Sequence, residues 1–312
     1  ALDFVKSAKK QLEEKMEEVR KFPGIVPPVI TVFDSQGEID GERTKKFIQH
    51  LIDEGVHGIF VAGSTGESSL MNMNQRKEII DIGVEAARGK VPLFAGTGHN
   101  ATRITVELSK YAQDAGADGV IVSLPHYPKP TQEALYHHYK TVAEEINIPV
   151  FVYNWPGQYG LDIEPAIVAN LAKDGYIQGI KDTHDDIDHT AEIIRLTEGK
   201  ITVWVGFESR ILPALCLGAN GSVCTIGNII AREVVQIYDL FQQGKIEEAA
   251  KKQLSIFGLA NVLFERHDMQ PLKEGIKMLG YDVGDALMPT SKVSPDMKGK
   301  IREELRKLGK LE

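Results

Sequence analysis

From about residue 23 the chain alternates between two kinds of pattern. Short, continuously apolar runs occur at Ile25–Phe33, Gly58–Ala62, Val91–Gly96, Gly119–Leu124, Val150–Asn154, Ile177–Lys181, Ile201–Gly206 and Gly221–Ile226. Between them lie stretches with apolar residues at spacings of three and four, which predict helices at Glu42–Glu54, Asn74–Arg88, Ala101–Asp114, Gln132–Glu145, Glu164–Lys173, Asp188–Leu196, Arg210–Leu217 and Ala231–Gln243. A strand that is apolar at every position, rather than at every second one, is covered on both faces, as in a parallel sheet. About eight strand–helix repeats without a break predict a closed (β/α)8 TIM barrel, an α/β fold. An open doubly wound sheet is the competing arrangement. It is disfavoured because no GxGxxG follows the first run and because the repeat continues to eight.

The two ends fall outside this repeat. Residues 1–22 predict an amphipathic helix, with Leu12, Met16, Val19 and Phe22 on one stripe and Glu17 four residues before Lys21. Its polar face mixes both signs, so packing on the barrel or on a partner subunit is expected rather than membrane-surface binding. The segment lacks the apolar region of a signal peptide. After the barrel (23–244) comes a helical extension, 245–312. It has a helical pattern over Ile246–Glu265, a connecting stretch containing Pro271, Pro289 and Pro295, and a charged last helix near Met297–Leu308. A barrel takes roughly 250 residues, so 312 residues fit one domain with additional helices.

Composition narrows the function. Hydrophobic residues make up 42% and charged residues 26%, values compatible with a sizeable core. A formal net charge of -8 opposes nucleic acid and anionic membranes, and no run approaches the ~20 apolar residues of a membrane span. The cysteines, Cys216 and Cys224, stand in apolar or small-residue surroundings and read as buried small hydrophobes. Their scarcity suits a reducing cytoplasm, and no CxxC or HExxH spacing suggests a metal. In the segment His184, Asp185, Asp186, His189, a loop leads into a helix. One of the two aspartates is therefore expected as the helix N-cap rather than as a metal ligand.

In a barrel of this kind chemistry belongs at the C-terminal strand ends. The sixth run ends Gly179-Ile180-Lys181-Asp182-Thr183. Burial would lower the pKa of Lys181 and supply the neutral amine that carbonyl attack needs; otherwise the lysine lies beyond the strand and snorkels to solvent. The fifth run ends Tyr153-Asn154, where Tyr153 either relays protons or is a hydrogen-bonded core aromatic. The second ends Gly63-Ser64-Thr65-Gly66-Glu67, a tight loop able to hold a carboxylate or phosphate, or a simple turn. It lacks the GK[ST] of a P-loop. His126 and Tyr127 sit in a stiff loop between prolines, and the eighth exit is built of small residues that leave space.

Taken together, Gly63-Ser64-Thr65-Gly66-Glu67, Tyr153-Asn154 and Gly179-Ile180-Lys181 resemble the signatures of the dihydrodipicolinate synthase and N-acetylneuraminate lyase family, over nearly all the chain after about Phe22. The resemblance implies a class I, pyruvate-dependent aldolase or lyase. Lys181 would form the Schiff base and Tyr153 would shuttle protons. Ser64, Thr65 and Gly66 would hold the carboxylate, and Val223 would line the pyruvate pocket. Tyr127 matches a tyrosine that in many members reaches into a neighbouring subunit, which implies an oligomer, typically a tetramer of paired dimers. The covalent imine implies no cofactor and no metal.

Within the family, synthases usually carry an arginine where this chain has Gln158, and a neutral amide does not replace a guanidinium. Thr183, two residues after the lysine, and the Gly206-Phe207-Glu208 exit resemble sugar-cleaving members, in which such groups bond substrate hydroxyls. The expected reaction is therefore reversible cleavage of a 2-keto-3-deoxy sugar acid to pyruvate and an aldehyde. The alternatives are dihydrodipicolinate synthase, sialic acid lyase and keto-deoxy sugar acid dehydratase. From another class, a non-catalytic 2-keto acid binding protein stays open.

Overall fold

The computed structural model describes residues 21–266 and 268–312. The stripe residues Leu12, Met16 and Val19 lie outside them. Eight parallel strands form one curled sheet: β1 (Gly24–Ile25), β2 (Ile59–Val61), β3 (Leu93–Gly96), β4 (Gly119–Ser123), β5 (Val150–Asn154), β6 (Gly179–Asp182), β7 (Thr202–Val205) and β8 (Gly221–Ser222). Their order is β1-β8-β7-β6-β5-β4-β3-β2, and a parallel bridge between Pro28 and Phe60 joins the two ends in a TIM-barrel-like ring. Each of the eight expected strands is present and each expected barrel helix lies within about two residues of its place.

The expected strand Ile25–Phe33 is much shorter. Its ladder stops at Ile25 because Pro27 and Pro28 have no N–H to donate, and the rest of the run keeps one parallel bridge, Pro28 to Phe60, and one antiparallel bridge, Phe33 to Ile39. In the extension, Ile246–Glu265 divides into helices Ile246–Ser255 and Phe257–Leu263. Pro271 does not mark a connector. It occupies the first turn of a further helix, Gln270–Met278, where its missing N–H costs nothing. The last helix is Pro295–Lys307, capped by Ser294, whose hydroxyl accepts from the Met297 N–H.

Strand alternation divides the core. Phe60, Phe94, Ile121, Phe151, Trp204 and Val223 point into the barrel and pack with Tyr153. Their neighbours Ile59, Val61, Val152 and Val203 point outward and pack under the helices. Phe22 belongs to the inner set. Its ring meets those of Phe94 at 5.0 Å and Phe151 at 5.8 Å, and its carbonyl accepts a 2.8 Å bond from the Trp204 indole. Cys224 is buried as expected, whereas Cys216 is exposed on the helix Ile211–Leu217. No helix among the described residues is long and apolar enough to cross a membrane.

Candidate active site

Parallel pairing of β5 with β6 sets Tyr153 beside Lys181, both pointing inward. Lys181 is only 4% exposed, and its ammonium nitrogen lies 4.0 Å from the centre of the Tyr153 ring and 5.7 Å from that of Phe60. Burial lowers its pKa to about 7, against the opposing influence of Glu208 and Cys224. The lysine thus does not snorkel: it is an amine largely able to be neutral near pH 7, which is what nucleophilic attack on a carbonyl requires. Burial also raises the Tyr153 phenol well above its ordinary value, so it stays protonated and able to donate.

Two glycines make the packing around Lys181 possible. A Cβ on Gly179 would stand 2.5 Å from the Thr202 carbonyl and 2.6 Å from the Phe151 ring. A Cβ on Gly206 would stand 1.9 Å from Thr183 Oγ1, so the strand 7 exit accepts Thr183 only because it carries glycine.

Behind Lys181 the strands are tied by a polar network. Asp182 accepts bonds from Asn154 (3.1 Å), Thr190 (2.6 Å) and His189 Nδ1 (3.1 Å). His189 Nε2 faces the Ile163 carbonyl at 3.1 Å, so both ring nitrogens face acceptors. Burial opposes its charge, but the hydrogen bond and charge of Asp182 and the charge of Asp162 raise its pKa overall. Asp162, His184 and His189 lie close enough together for a metal. However, both His189 nitrogens already face protein acceptors, and His184 Nδ1 accepts from the Asp186 N–H at 2.9 Å. Asp186 is the cap of helix Ile187–Leu196, accepting from the Asp188 N–H.

The loop after β2 closes the opposite side of the mouth. It lies between two non-glycine residues at positive φ, Ala62 (55°) and Glu67 (62°). Ser64 Oγ is 3.3 Å from the Tyr159 hydroxyl, and Thr65 Oγ1 is 3.1 Å from Thr225 Oγ1. A cavity of about 760 Å³ opens here, with Phe60, Gly63, Ser64, Tyr153, Gln158 and Tyr159 on its walls. Lys181 sits behind its Phe60–Tyr153 wall. A smaller cavity of about 380 Å³ lies beside Trp155, Gln158, Asp185, Glu208 and Asn261.

The structure therefore brings together Lys181, Tyr153, Ser64 and Gln158. Thr65 and Gly66 share the loop, and Thr65 is buried against Thr225. Val223 is packed in the barrel interior. Glu208 is buried, and its Oε1 accepts from the Ile226 N–H at 3.0 Å; burial raises its pKa against these backbone bonds and the Lys181 charge. Thr183 is buried against Gly206 and lines neither cavity. Tyr127 stands apart, 80% exposed, with its N–H on Asn100 Oδ1. Sequence reasoning missed Tyr159. It lies in a one-turn helix, Pro156–Tyr159, that carries no periodicity of its own, and its ring stacks on His126 at 5.0 Å.

The family model of the dihydrodipicolinate synthetase family matches residues 21–308. The chain belongs to this family. Members are lyase- or aldolase-type enzymes. A 4-hydroxy-tetrahydrodipicolinate synthase of Methanococcus aeolicus is 35% identical over 289 residues, 92% of this chain and 99% of its own. One of Acetivibrio thermocellus is 36% identical over 288 residues, 92% of this chain and 98% of its own. Among solved structures, dihydrodipicolinate synthase from Aquifex aeolicus superposes with a TM-score of 0.89 at 34% identity, over 92% of this chain and 98% of its own. A prophage protein of the family from E. coli K12, solved in complex with pyruvate, gives 0.89 at 33%, over 92% of this chain and 99% of its own.

Proposed function

We propose that the chain is a class I, pyruvate-dependent carbon–carbon lyase whose nucleophile is Lys181. The observation that carries this reading is the buried Lys181 amine beside Tyr153, with its pKa lowered to about 7 by burial. The neutral amine attacks the keto carbon of pyruvate, and loss of water gives an imine. The protonated imine draws electrons from the methyl carbon, so removal of a proton there yields an enamine rather than a bare carbanion. The enamine attacks an aldehyde carbon, and water then releases the product and the lysine. Tyr153 relays the protons. Ser64, Thr65 and the N–H groups of their loop, Gly66 included, hold the pyruvate carboxylate. The iminium is the electron sink, so the scheme uses no cofactor or metal.

For the aldehyde, the names of the relatives favour condensation with aspartate semialdehyde to 4-hydroxy-tetrahydrodipicolinate. This reverses the order expected from sequence, which placed the sugar acid first. The sugar-acid reading keeps one observation in its favour. The smaller cavity offers Gln158, Asp185, Glu208 and Asn261, and no Lys or Arg is among the described residues that line it. Such a surface suits hydroxyls better than a second carboxylate.

The exposed Tyr127 ring supports an oligomer, a homotetramer of paired dimers, in which this residue reaches a neighbouring copy's site. A cytoplasmic location fits the low cysteine count. The test is turnover on a panel. Condensation of pyruvate with aspartate semialdehyde, with little pyruvate release from 2-keto-3-deoxygluconate or N-acetylneuraminate, supports the synthase. The opposite ranking supports the sugar-acid lyase, and activity on none of them sinks both.

A further inference from the structure

The loop that carries Ser64 and Thr65 ends in Glu67, and Glu67 is an unusual residue for its place. Its φ of 62° lies in the left-handed region, which is strained for a residue with a side chain. It is a carboxylate, yet it is buried. Both of its oxygens are engaged from the far end of the chain. Oε2 accepts a 2.7 Å bond from the Leu287 N–H, and Oε1 lies 2.7 Å from the ammonium of Lys273.

Lys273 is 0% exposed, on the helix Gln270–Met278. Its nitrogen also donates to the Asp285 carbonyl at 3.1 Å and lies 4.8 Å from the centre of the Phe33 ring. The receiving segment is itself fixed, because Gln270 holds Asp285 Oδ1 (2.9 Å) and the Ala286 N–H (2.7 Å). A buried ion pair gives little net stability, because desolvation offsets the attraction. It does impose geometry, and the geometry imposed here falls on the Ser64–Thr65 loop.

We propose that Lys273 and Glu67 are positioning residues for substrate binding: through this pair the C-terminal extension holds the Ser64–Thr65 loop in its strained shape, with its N–H groups set for the substrate carboxylate. Lys273 lines neither cavity, and Glu67, at the edge of the larger one, turns its carboxylate oxygens to Leu287 and Lys273. Within the loop, the Glu67 N–H bonds the Ser64 carbonyl at 3.0 Å and the Ser68 N–H bonds the Gly63 carbonyl at 3.3 Å, so displacing Glu67 displaces Ser64. The Gly66 carbonyl accepts from Thr31 Oγ1 at 2.9 Å, which fixes the loop's other side to the barrel. Lys181 and Tyr153 stand on separate strands and do not depend on the pair. Its loss therefore weakens carboxylate binding and leaves the amine's reactivity alone. The proposal rests on the pyruvate-imine reading above.

The test is borohydride trapping of the pyruvate adduct as a function of pyruvate concentration, in Glu67→Gly, Lys273→Met and the double variant. Glycine adopts positive φ freely, so Glu67→Gly relieves the strain while removing the carboxylate. Each single change is expected to raise the half-saturating pyruvate concentration roughly tenfold or more, the effect of losing about one charge-assisted hydrogen bond. The double variant is expected to be no worse than the worse single, because the two residues act as one unit. The pH midpoint of trapping at saturating pyruvate is expected to stay at the wild-type value.

If the folded variants trap pyruvate at the wild-type half-saturation and lose only melting temperature, the pair is merely structural and the proposal is wrong. Effects that multiply in the double variant also overturn it. If Lys273→Met does not fold, Glu67→Gly and Glu67→Gln decide by the same readout. A wild-type protein that yields no adduct at any pyruvate concentration indicts the imine reading itself, a result distinct from unchanged affinity in the variants.

Discussion

The two sides of the barrel mouth are held in opposite ways. On the β5–β6 side, Lys181 and Tyr153 belong to strands of four and five residues, paired with each other and backed by Asn154, Asp182, Thr190 and His189. All of these lie within about forty residues of one another, and none of these six residues is at positive φ. On the β2 side, the Ser64–Thr65 loop lies between two positive-φ residues, Ala62 and Glu67, and is anchored by Lys273 and Leu287, some two hundred residues away. The chemistry is thus carried on regular ladders, and the grip on substrate depends on a distant segment. Covalent attack tolerates little displacement, which suits a rigid strand. Binding of a carboxylate draws on backbone N–H groups, which a ladder has already used and a strained loop leaves free.

The comparison breaks most visibly at Lys181. Replacing it with Met should lower turnover by on the order of 10⁴-fold or more, with pyruvate still bound by the β2 loop. The same change should raise stability by on the order of 1 kcal/mol, because a buried amine is replaced by an apolar chain of similar length. Turnover and urea unfolding check the two effects, and retained activity would move the nucleophile elsewhere. Tyr153→Phe should reduce turnover by roughly 10²–10⁴-fold with the half-saturating pyruvate concentration little changed, which separates proton relay from binding.

Asp182→Asn tests the other half of the contrast. It should lower stability by about 3 kcal/mol, because a buried carboxylate that accepts from Asn154, Thr190 and His189 is replaced by an amide that cannot accept from all three. The half-saturating pyruvate concentration should nevertheless stay near wild type, because the strand ladder still places Lys181. A large rise there would show that the network, and not the ladder, sets the lysine.

The pH dependence is expected to be smaller in amplitude. Attack needs the neutral amine, and burial lowers the Lys181 pKa from 10.5 to about 7. The rate of adduct formation at saturating pyruvate should rise with pH through about 7 and level above it. The stability linkage runs the same way. Between about 7 and 10.5 the unfolded lysine binds a proton that the folded one does not, so this residue's contribution to stability grows with pH across that window. A midpoint near the ordinary lysine value would mean that the amine is not buried in solution.

Much of this was legible in the sequence because the barrel is built from local signals. Short continuous apolar runs such as Val150–Asn154, alternating with helical stretches, read as strands covered on both faces, and the polar residues that end them, Asn154 and Lys181, mark the mouth. What was not legible depends on contacts distant in sequence. Glu67 reads as part of a turn motif, and nothing nearby indicates a partner at Lys273. The helix that carries Lys273 reads as a connector in sequence, because Pro271 breaks a helical pattern everywhere except in the first turn. Tyr159 follows a strand end by five residues in a one-turn helix too short for periodicity to register. Cys216 reads as buried from its apolar neighbours Leu215 and Leu217, yet it lies on the exposed face of its helix.

The most direct test of the account is reduction of the protein with borohydride in the presence and absence of pyruvate, followed by peptide mapping. The expected result is a pyruvate-dependent mass increase confined to the peptide containing Lys181 and lost in Lys181→Met. No increase, or an increase on another lysine, would contradict the assignment of Lys181 as the nucleophile.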